Sequence, residues 1–214
     1  MNVLTVEHLT KKIGNKTILK DISLNLKRGQ IVGLVGANGA GKTSLMKVIL
    51  GYSIYQEGNF EVIENKHKKS NVGALIENPG VYPFMSGYDN LKLLNETKNT
   101  QDIDTIVSQL KMDEYIHNKA KTYSLGMKQK LGIAIAFLNQ PQLIILDEPT
   151  SHLDIETEFE IKEKLLELFK CRTVIIATHR LHWLNNVDYV LNLEQGKVSD
   201  FEKVVELKNS PRFE

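Results

Sequence analysis

The chain has 214 residues, which fits one domain or one domain with a small insertion. With 42% hydrophobic and 25% charged residues, it has the composition of a soluble globular protein. Its 27 Lys and Arg residues offset 26 Asp and Glu residues, so the net charge of +1 does not select nucleic acid or an acidic membrane by bulk electrostatics. A membrane-spanning helix needs about 20 consecutive apolar residues, and the apolar runs here are far shorter. Because the start has no signal-peptide pattern and Cys171 is the single cysteine, we expect a cytoplasmic protein. Any membrane role would therefore depend on a partner.

The first quarter of the sequence predicts β-structure followed by a glycine-rich loop. Apolar residues alternate over 22–26, as expected for a half-buried strand. Residues 31–35 form a short apolar run of the kind that is buried on both faces of a parallel sheet. After the loop, residues 44–50 predict a helix that ends at Gly51.

The middle of the chain predicts helices, because the apolar residues between 91 and 138 have helical spacing. Pro141 disfavours helix in the residue before it and therefore ends this region. We expect a helical subdomain over about 76–140, inserted into a core formed by about 1–75 and 141–214.

Two more buried strands are predicted after the insertion, at 143–146 and 173–177. The helix between them begins after Asp154. A strand, a helix and a strand at this spacing predict a parallel crossover.

The strongest motif is G-x-x-x-x-G-K-[ST], which matches residues 36–43, called here the phosphate loop. The phosphates of ATP carry several negative charges, and a loop holds them when its backbone N–H groups point inward, which glycine permits. The following helix adds the partial positive charge of its N-terminus. Lys42 can reach the outer phosphates and Thr43 can bind Mg²⁺. The residues predicted to bind the nucleotide here are Gly36, Asn38, Gly39, Ala40, Gly41, Lys42, Thr43 and Ser44.

Two adjacent acids, Asp147 and Glu148, follow the apolar run 143–146. Ligands of open α/β sheets bind beyond the carboxyl ends of the strands. Asp147 is therefore expected to hold Mg²⁺, and Glu148 to orient or deprotonate the attacking water. Two acids alone could equally mark a helix N-terminus, but the phosphate loop in the same chain favours the catalytic interpretation.

His179 follows the apolar run 173–177 and is expected at the same sheet edge as Asp147, where it would contact the γ-phosphate. Without that context it would be an ordinary surface residue. The other histidines have no metal-ligand spacing and are expected to be structural or solvated; they are His8, His67, His117, His152 and His182. A basic cluster at 66–69 predicts a solvated loop rather than a binding patch.

In this order, the motifs resemble those of the nucleotide-binding subunit of ATP-binding-cassette (ABC) transporters over essentially the whole chain. The resemblance implies an α/β fold, with a P-loop NTPase core containing a parallel sheet, an N-terminal antiparallel β subdomain and a helical insertion subdomain. It also implies an ATPase that uses Mg²⁺ and drives a separate integral membrane permease from the cytoplasmic face of the membrane. Residues 77–84 would contact that permease.

Residues 124–129, Ser-Leu-Gly-Met-Lys-Gln, stand in the place of the family's signature segment, with Ser124 and Gly126 matching and Leu125 replacing a second glycine. In the family this segment reaches the ATP of a second copy, so that two copies enclose two nucleotides head to tail. Asp154 takes the family's acidic position in the loop between the two sites. Without the order of the motifs, Ser124 and Asp154 would each be interpreted as a simple helix N-cap.

Two positions depart from the family pattern. Glu77 stands where a glutamine usually contacts Mg²⁺ and water, and Ile13 stands where an aromatic residue usually stacks on adenine. A carboxylate can still face Mg²⁺, and an aliphatic side chain can cover the base with less specificity. Glu77 and the variant signature resemble the branch that exports peptide antibiotics, which includes lantibiotic and bacitracin pumps.

Other functions stay open. A soluble ATPase of DNA maintenance or translation shares the core, but such proteins resemble tandem cassettes or carry long coiled coils. This chain has one cassette and no heptad run, and its charge predicts no nucleic-acid partner. An ABC exporter of another substrate would carry the same motifs. A module that binds ATP without turnover is disfavoured by the intact lysine, acidic pair and histidine.

Overall fold

A computed structural model of the chain describes residues 1–63, 72–77, 79–97, 99–151 and 153–204. The predicted basic cluster at 66–69, together with His67 and His152, lies outside the described residues. The chain divides into two compact units, one made of Met1–Glu64 and Cys171–Glu214 and the other of Asn65–Lys170.

The described residues form strands, α-helices and short 3₁₀ helices at the following positions. The strands are β1 (Asn2–Ile13), β2 (Lys16–Lys27), β3 (Ile31–Val35), β4 (Glu57–Val62), β5 (Val72–Leu75), β6 (Leu143–Asp147), β7 (Thr173–Ala177), β8 (Tyr189–Glu194) and β9 (Lys197–Lys203). The α-helices are α1 (Lys42–Ile49), α2 (Gly87–Leu94), α3 (Thr100–Gln109), α4 (Leu125–Phe137) and α5 (Ile155–Phe169). Short 3₁₀ helices occur at Ala120–Thr122 and Leu181–Asn186.

The first unit contains an antiparallel three-stranded sheet in the order β2-β1-β4. The alternation predicted from the sequence is present in β2, where Ile22, Leu24 and Leu26 are buried and the residues between them are exposed. Val6 of β1 pairs with Leu24, which aligns the buried faces of the two strands. The antiparallel β-structure expected near the N-terminus is therefore present.

The same unit contains parallel strands that carry the phosphate loop. β3 lies between β7 and β8 and is parallel to both, while β9 pairs antiparallel with β8. The five residues of β7 are all buried, as an apolar run in a parallel sheet predicts. α1 follows the phosphate loop and buries Leu45 and Met46 in an apolar core with Val32 and Leu34 of β3. The chain thus leaves β3 from a buried apolar core.

The second unit combines the parallel pair β5–β6 with helices α2 to α5. α4 is apolar around most of its circumference and is largely buried, as expected for a helix inside a core. It approaches β5 so closely that a Cβ on Gly73 would lie on the carbonyl oxygen of Ala136. The Ser86 side chain accepts a hydrogen bond from the Asp89 backbone N–H and caps α2.

The helical spacing predicted between residues 91 and 138 corresponds to α2, α3 and α4. α1 begins at Lys42, two residues before the predicted start, and Gly51 follows its end with a φ of 72°. No helix within the described part of the chain is long and apolar enough to cross a membrane.

Candidate functional site

The phosphate loop has a backbone that depends on glycine at three positions. Gly36, Gly39 and Gly41 have φ values of 147°, 82° and 111°, which side chains rarely adopt. A Cβ on Gly36 would lie 2.2 Å from the carbonyl oxygen of Leu193, whereas a Cβ on Gly39 would meet no described atom within 4 Å. Gly36 therefore permits packing beneath the loop, and Gly39 leaves open space at its exposed tip.

The turn between β8 and β9 holds the phosphate loop in place. The backbone N–H of Gly196 donates to the carbonyl oxygen of Ala40 at 3.0 Å, and the N–H of Lys20 donates to the carbonyl of Gly196 at 2.7 Å. This support was not predicted from the sequence. The local sequence signal for this turn is the Gln-Gly dipeptide at 195–196. It predicts a turn but does not indicate that the turn contacts the phosphate loop.

Lys42 points into the phosphate loop and not into solvent. Its side chain is only 8% exposed, and Nζ donates to the carbonyl oxygens of Gly36 at 2.6 Å and Ala37 at 3.3 Å. Among the described residues no side chain caps the N-terminus of α1, and its first turn carries no acidic group. A buried ammonium beside an uncapped, positive helix end is a site suited to phosphate.

His179 lies at the same sheet edge as the phosphate loop. β7 ends at Ala177, two residues before His179, and Ala177 pairs with Leu34 near the end of the parallel strand β3. The His179 side chain is exposed.

Ile13 ends β1 and is 59% exposed. Further along the same β1–β2 hairpin, a Cβ on Gly41 would lie 2.9 Å from Leu19 Cδ2, so β2 packs against the phosphate loop. The hairpin that carries Ile13 therefore lies beside the loop.

In the second unit, the three predicted acids leave the same edge of the β5–β6 pair. Leu75 pairs with Leu146, and Glu77 and Asp147 follow these residues in parallel strands. Glu77 and Glu148 both have left-handed backbones, with φ values of 59° and 46°. Such a backbone is uncommon for residues other than glycine, and it persists where the surrounding structure fixes it.

A buried glutamine that was not predicted connects α4 to the loop of the acidic pair (residues 147–151, called here the acidic loop). Gln129 is 2% exposed, and its Nε2 donates to the carbonyl oxygens of Pro149 at 3.0 Å and Glu148 at 3.4 Å. The sequence signal was its place at the end of the signature segment, three residues after Gly126.

Ser124 and Asp154 both act as helix N-caps, which is the simpler of the two roles considered for them. The Ser124 hydroxyl accepts a hydrogen bond from the Met127 N–H at 3.2 Å, and the Asp154 carboxylate accepts one from the Thr157 N–H at 2.9 Å. The latter bond holds the pKa of Asp154 below its ordinary value.

Gly126 lies one residue into α4, where a Cβ would be 3.0 Å from Leu153 Cδ2. The start of the signature helix therefore contacts the segment that leads into α5. A larger residue at 126 would push against Leu153.

The chemistry of the predicted metal ligands is suited to a magnesium ion that is bound together with a nucleotide. Within the described residues no group of three or more His, Cys, Asp or Glu is placed to hold a metal. Mg²⁺ keeps several waters and binds through one or two side chains plus the phosphates of its substrate, so it needs no such cage. The Thr43 hydroxyl and the Asp147 carboxylate are oxygen donors of the required kind.

Comparison with known proteins identifies a family. Residues 19–151 match the family described as ABC transporter. The ABC transporter ATP-binding protein YdbJ of Bacillus subtilis (strain 168) is 39% identical over 208 residues, covering 92% of this chain and 68% of that protein. The lantibiotic transport ATP-binding protein SrtF of Streptococcus pyogenes is 34% identical, covering 92% of this chain and 89% of that protein. The bacitracin transport ATP-binding protein BcrA of Enterococcus faecalis is also 34% identical, covering 98% and 72%.

Solved structures agree with the fold. A structure described as the ATP-binding subunit of an ABC transporter has a TM-score of 0.86 at 24% identity and covers 97% of this chain and 92% of that one. A dimeric post-hydrolysis state of the ATP-binding cassette MJ0796 bound to ADP and Pi has a TM-score of 0.83 at 22% identity, covering 94% and 98%. The predicted fold class, a P-loop NTPase core with a β subdomain and helices, is confirmed. Because the family match spans both the phosphate loop and the acidic pair, and the relatives are similar along nearly the whole sequence, this chain belongs to the ABC transporter family and is one of its ATPases.

Proposed function

We propose that this chain hydrolyses Mg-ATP to drive a separate membrane permease that exports a peptide antibiotic of the lantibiotic or bacitracin type. The observation that carries the ATP-binding part is the buried Lys42 ammonium inside the glycine loop, at the uncapped N-terminus of α1. The similarity to SrtF and BcrA, at 34% identity each, supports the substrate class.

Each predicted residue has a role in this reaction. Lys42 and the amides of the phosphate loop bind the β- and γ-phosphates, and Lys42 exchanges its contacts with Gly36 and Ala37 for the nucleotide. Thr43 and Asp147 would hold Mg²⁺, and the bound ion would supply positive charge against the transferred phosphoryl group. Glu148 orients the attacking water and accepts its proton.

Three further residues contact the nucleotide or its water. His179 donates a hydrogen bond to the γ-phosphate, which is consistent with its position at the loop's sheet edge. Glu77 accepts a hydrogen bond from the water near Mg²⁺. Ile13 covers the base, and its exposed aliphatic side chain gives contact area without the stacking geometry of an aromatic ring.

The working form is a dimer of two copies. Ser124 and Gly126 reach the nucleotide held by the second copy, and Asp154 contacts the loop between the two sites. The Ser124 hydroxyl and the first N–H groups of α4 are a suitable donor set for a phosphate. Asp154 keeps its N-cap bond in this arrangement, because one carboxylate accepts several hydrogen bonds.

The permease binds residues 77–84 at the cytoplasmic face of the membrane. Tyr82 and Phe84 support this assignment, because they are 52% and 77% exposed, and large exposed apolar side chains mark interaction surfaces. The near-neutral charge favours a permease over nucleic acid as partner.

The catalytic proposal is tested with two variants. Glu148→Gln should keep Mg-ATP binding and lose about 10²–10⁴-fold in steady-state hydrolysis, since it removes a general base. Lys42→Ala should abolish nucleotide binding measured by calorimetry. Undiminished hydrolysis by Glu148→Gln, or unchanged binding by Lys42→Ala, would show that these residues have been given the wrong roles.

The transport proposal is tested by an assay in living cells. The chain is expressed together with a membrane permease encoded next to its gene, in a strain sensitive to lantibiotics and bacitracin. Inhibitory concentrations are compared with those for the Glu148→Gln variant. Protection by the wild type alone supports peptide export. Recovery of the chain with DNA or ribosomes in a salt-dependent manner, without any integral membrane protein, would contradict it.

A further inference from the structure

A buried acid on α5 contacts the acidic loop. The Thr150 hydroxyl donates to Oε1 of Glu158 at 2.8 Å, and the two residues are 1% and 2% exposed. Burying a carboxylate is costly unless it is hydrogen-bonded, so this contact is a strong constraint on both partners. Glu158 was assigned no role from the sequence.

The position of Glu158 on its helix favours this contact. It lies in the first turn of α5, and its backbone N–H donates to the carbonyl of Asp154 at 2.8 Å. A carboxylate near a helix N-terminus is stabilised by the helix dipole. The carboxylate therefore reaches back from a rigid helix to Thr150, which lies two residues after Glu148.

Two backbone hydrogen bonds constrain described residues between Glu148 and α5. The Ser151 N–H donates to the carbonyl of Glu148 at 3.1 Å, and the Leu153 N–H donates to the carbonyl of Thr150 at 3.2 Å. On the opposite side Gln129 donates to Glu148 and Pro149. Thr150 is thus the point at which the acidic loop is fixed to α5, as Pro149 is the point at which it is fixed to α4.

We propose that Glu158 is a positioning residue: through Thr150 it fixes the acidic loop so that the left-handed backbone of Glu148 aims its carboxylate at the attacking water. Glu158 itself is buried and does not touch the nucleotide. This inference rests on the proposed role of Glu148 in ATP hydrolysis.

The physical basis is the strained backbone at Glu148. A φ of 46° in a residue other than glycine relaxes unless its surroundings oppose the change. The bond from Thr150 to Glu158 opposes rotation of the chain immediately after Glu148. Its loss should leave nucleotide binding intact, because the phosphate loop belongs to a different segment, but should misplace the carboxylate during the chemical step. A misplacement of about 1 Å at reacting groups can cost about 100-fold in rate.

The test compares kcat, KM and nucleotide affinity across a small set of full-length variants. Glu158→Ala and Thr150→Val should each lower kcat by about 10- to 100-fold with KM and nucleotide Kd unchanged. The double variant should be no slower than the slower single variant, because the two groups act as a unit. Glu158→Gln should retain most of the wild-type kcat, since its amide oxygen still accepts from Thr150. Glu163→Ala, which removes an exposed glutamate from the same helix, is the matched control and should behave as the wild type.

The readout separates positioning from simple destabilisation. Each kcat is normalised to the fraction of protein that binds nucleotide in calorimetry, so partial unfolding does not count as a catalytic defect. A normalised kcat equal to that of the wild type in Glu158→Ala overturns the proposal, as does a multiplicative loss in the double variant. If Glu158→Ala does not fold, Thr150→Val must show the loss and Glu158→Gln must not. A wild-type protein that fails to hydrolyse Mg-ATP refutes the proposed function, whereas an active wild type with equally active variants refutes only this inference.

Discussion

Alanine substitutions at Gly36 and Gly39 of the phosphate loop should differ in their effects on folding and on nucleotide binding. At Gly36 a Cβ would lie 2.2 Å from the carbonyl oxygen of Leu193, more than 1 Å inside the ordinary contact distance of 3.4 Å. The opposing atom is backbone in β8 and cannot rotate away. Overpacking costs about 1–3 kcal/mol and a strained backbone a similar amount, so Gly36→Ala should destabilise by about 2–6 kcal/mol. At Gly39 a Cβ meets no described atom within 4 Å, and only backbone strain of about 1–3 kcal/mol applies.

The assay is thermal unfolding by circular dichroism, followed by calorimetric titration with Mg-ATP. For a chain of this length each kcal/mol lowers the melting temperature by about 2–4 °C, so the two variants should be resolved. Gly39→Ala should fold but bind Mg-ATP more weakly, because its methyl group projects into the open space at the tip of the loop whose amides are proposed to bind the phosphates. Equal melting temperatures for the two variants would refute the packing argument, and unchanged binding by Gly39→Ala would contradict the proposed contact between the phosphates and the tip of the loop.

Three further predictions concern stability. Cys171→Gly should raise the free energy of unfolding by about 1 kcal/mol in chemical denaturation. Cys171 is exposed and follows α5 with a φ of 63°, which glycine adopts without strain. A decrease in the free energy of unfolding would contradict this. Asp154→Ala should lower the melting temperature at pH 7 and lower it much less near pH 2. The hydrogen bond from Thr157 lowers the pKa of Asp154 in the folded state. The stability that Asp154 contributes is therefore complete above its unfolded-state pKa and is lost as the pH falls through its folded-state pKa. A melting-temperature loss that does not depend on pH would exclude a charged cap. Lys111→Met should lower the free energy of unfolding by less than about 1 kcal/mol, and should not change it in 1 M NaCl. The reason is that the ion pair between Lys111 and Glu160, at 2.7 Å, is partly exposed. A loss of stability that persists in high salt would indicate a packing contribution instead.

The elements that could be predicted are those whose sequence pattern depends on neighbouring residues alone. The glycine loop, the apolar runs of β3, β6 and β7, and the helix that follows Asp154 each have a distinctive pattern within a few residues. The strands β4, β8 and β9 were not predicted. β4 and β9 contain no buried residue, so the contrast between their two faces is weak. The pairing of such strands depends on partners that are distant in the sequence, as when Leu4 of β1 pairs with Val62 of β4.

The supports of the site could not be predicted for the same reason. Gly196 contacts Ala40 from more than 150 positions away, and Gln129 contacts Pro149 across 20 positions. Nothing local distinguishes Glu158 from the exposed glutamates of α5, such as Glu163. The residues expected to carry the chemistry lie in short motifs that the sequence shows directly. Their positions depend on buried polar partners that only folding brings together.

The two loops illustrate different solutions to the same physical problem. Each must hold an unusual backbone against relaxation while leaving polar groups available to a ligand. The phosphate loop uses glycine, which removes the strain, and is then fixed by backbone hydrogen bonds such as that from Gly196. In the proposed mechanism the acidic loop needs a carboxylate at Glu148 and cannot use glycine there. The strain then remains and must be opposed by side chains, which Gln129 and Thr150 supply. Substitutions that preserve the motif residues should therefore be tolerated around the phosphate loop, whereas around the acidic loop even distant buried side chains should affect the rate of hydrolysis.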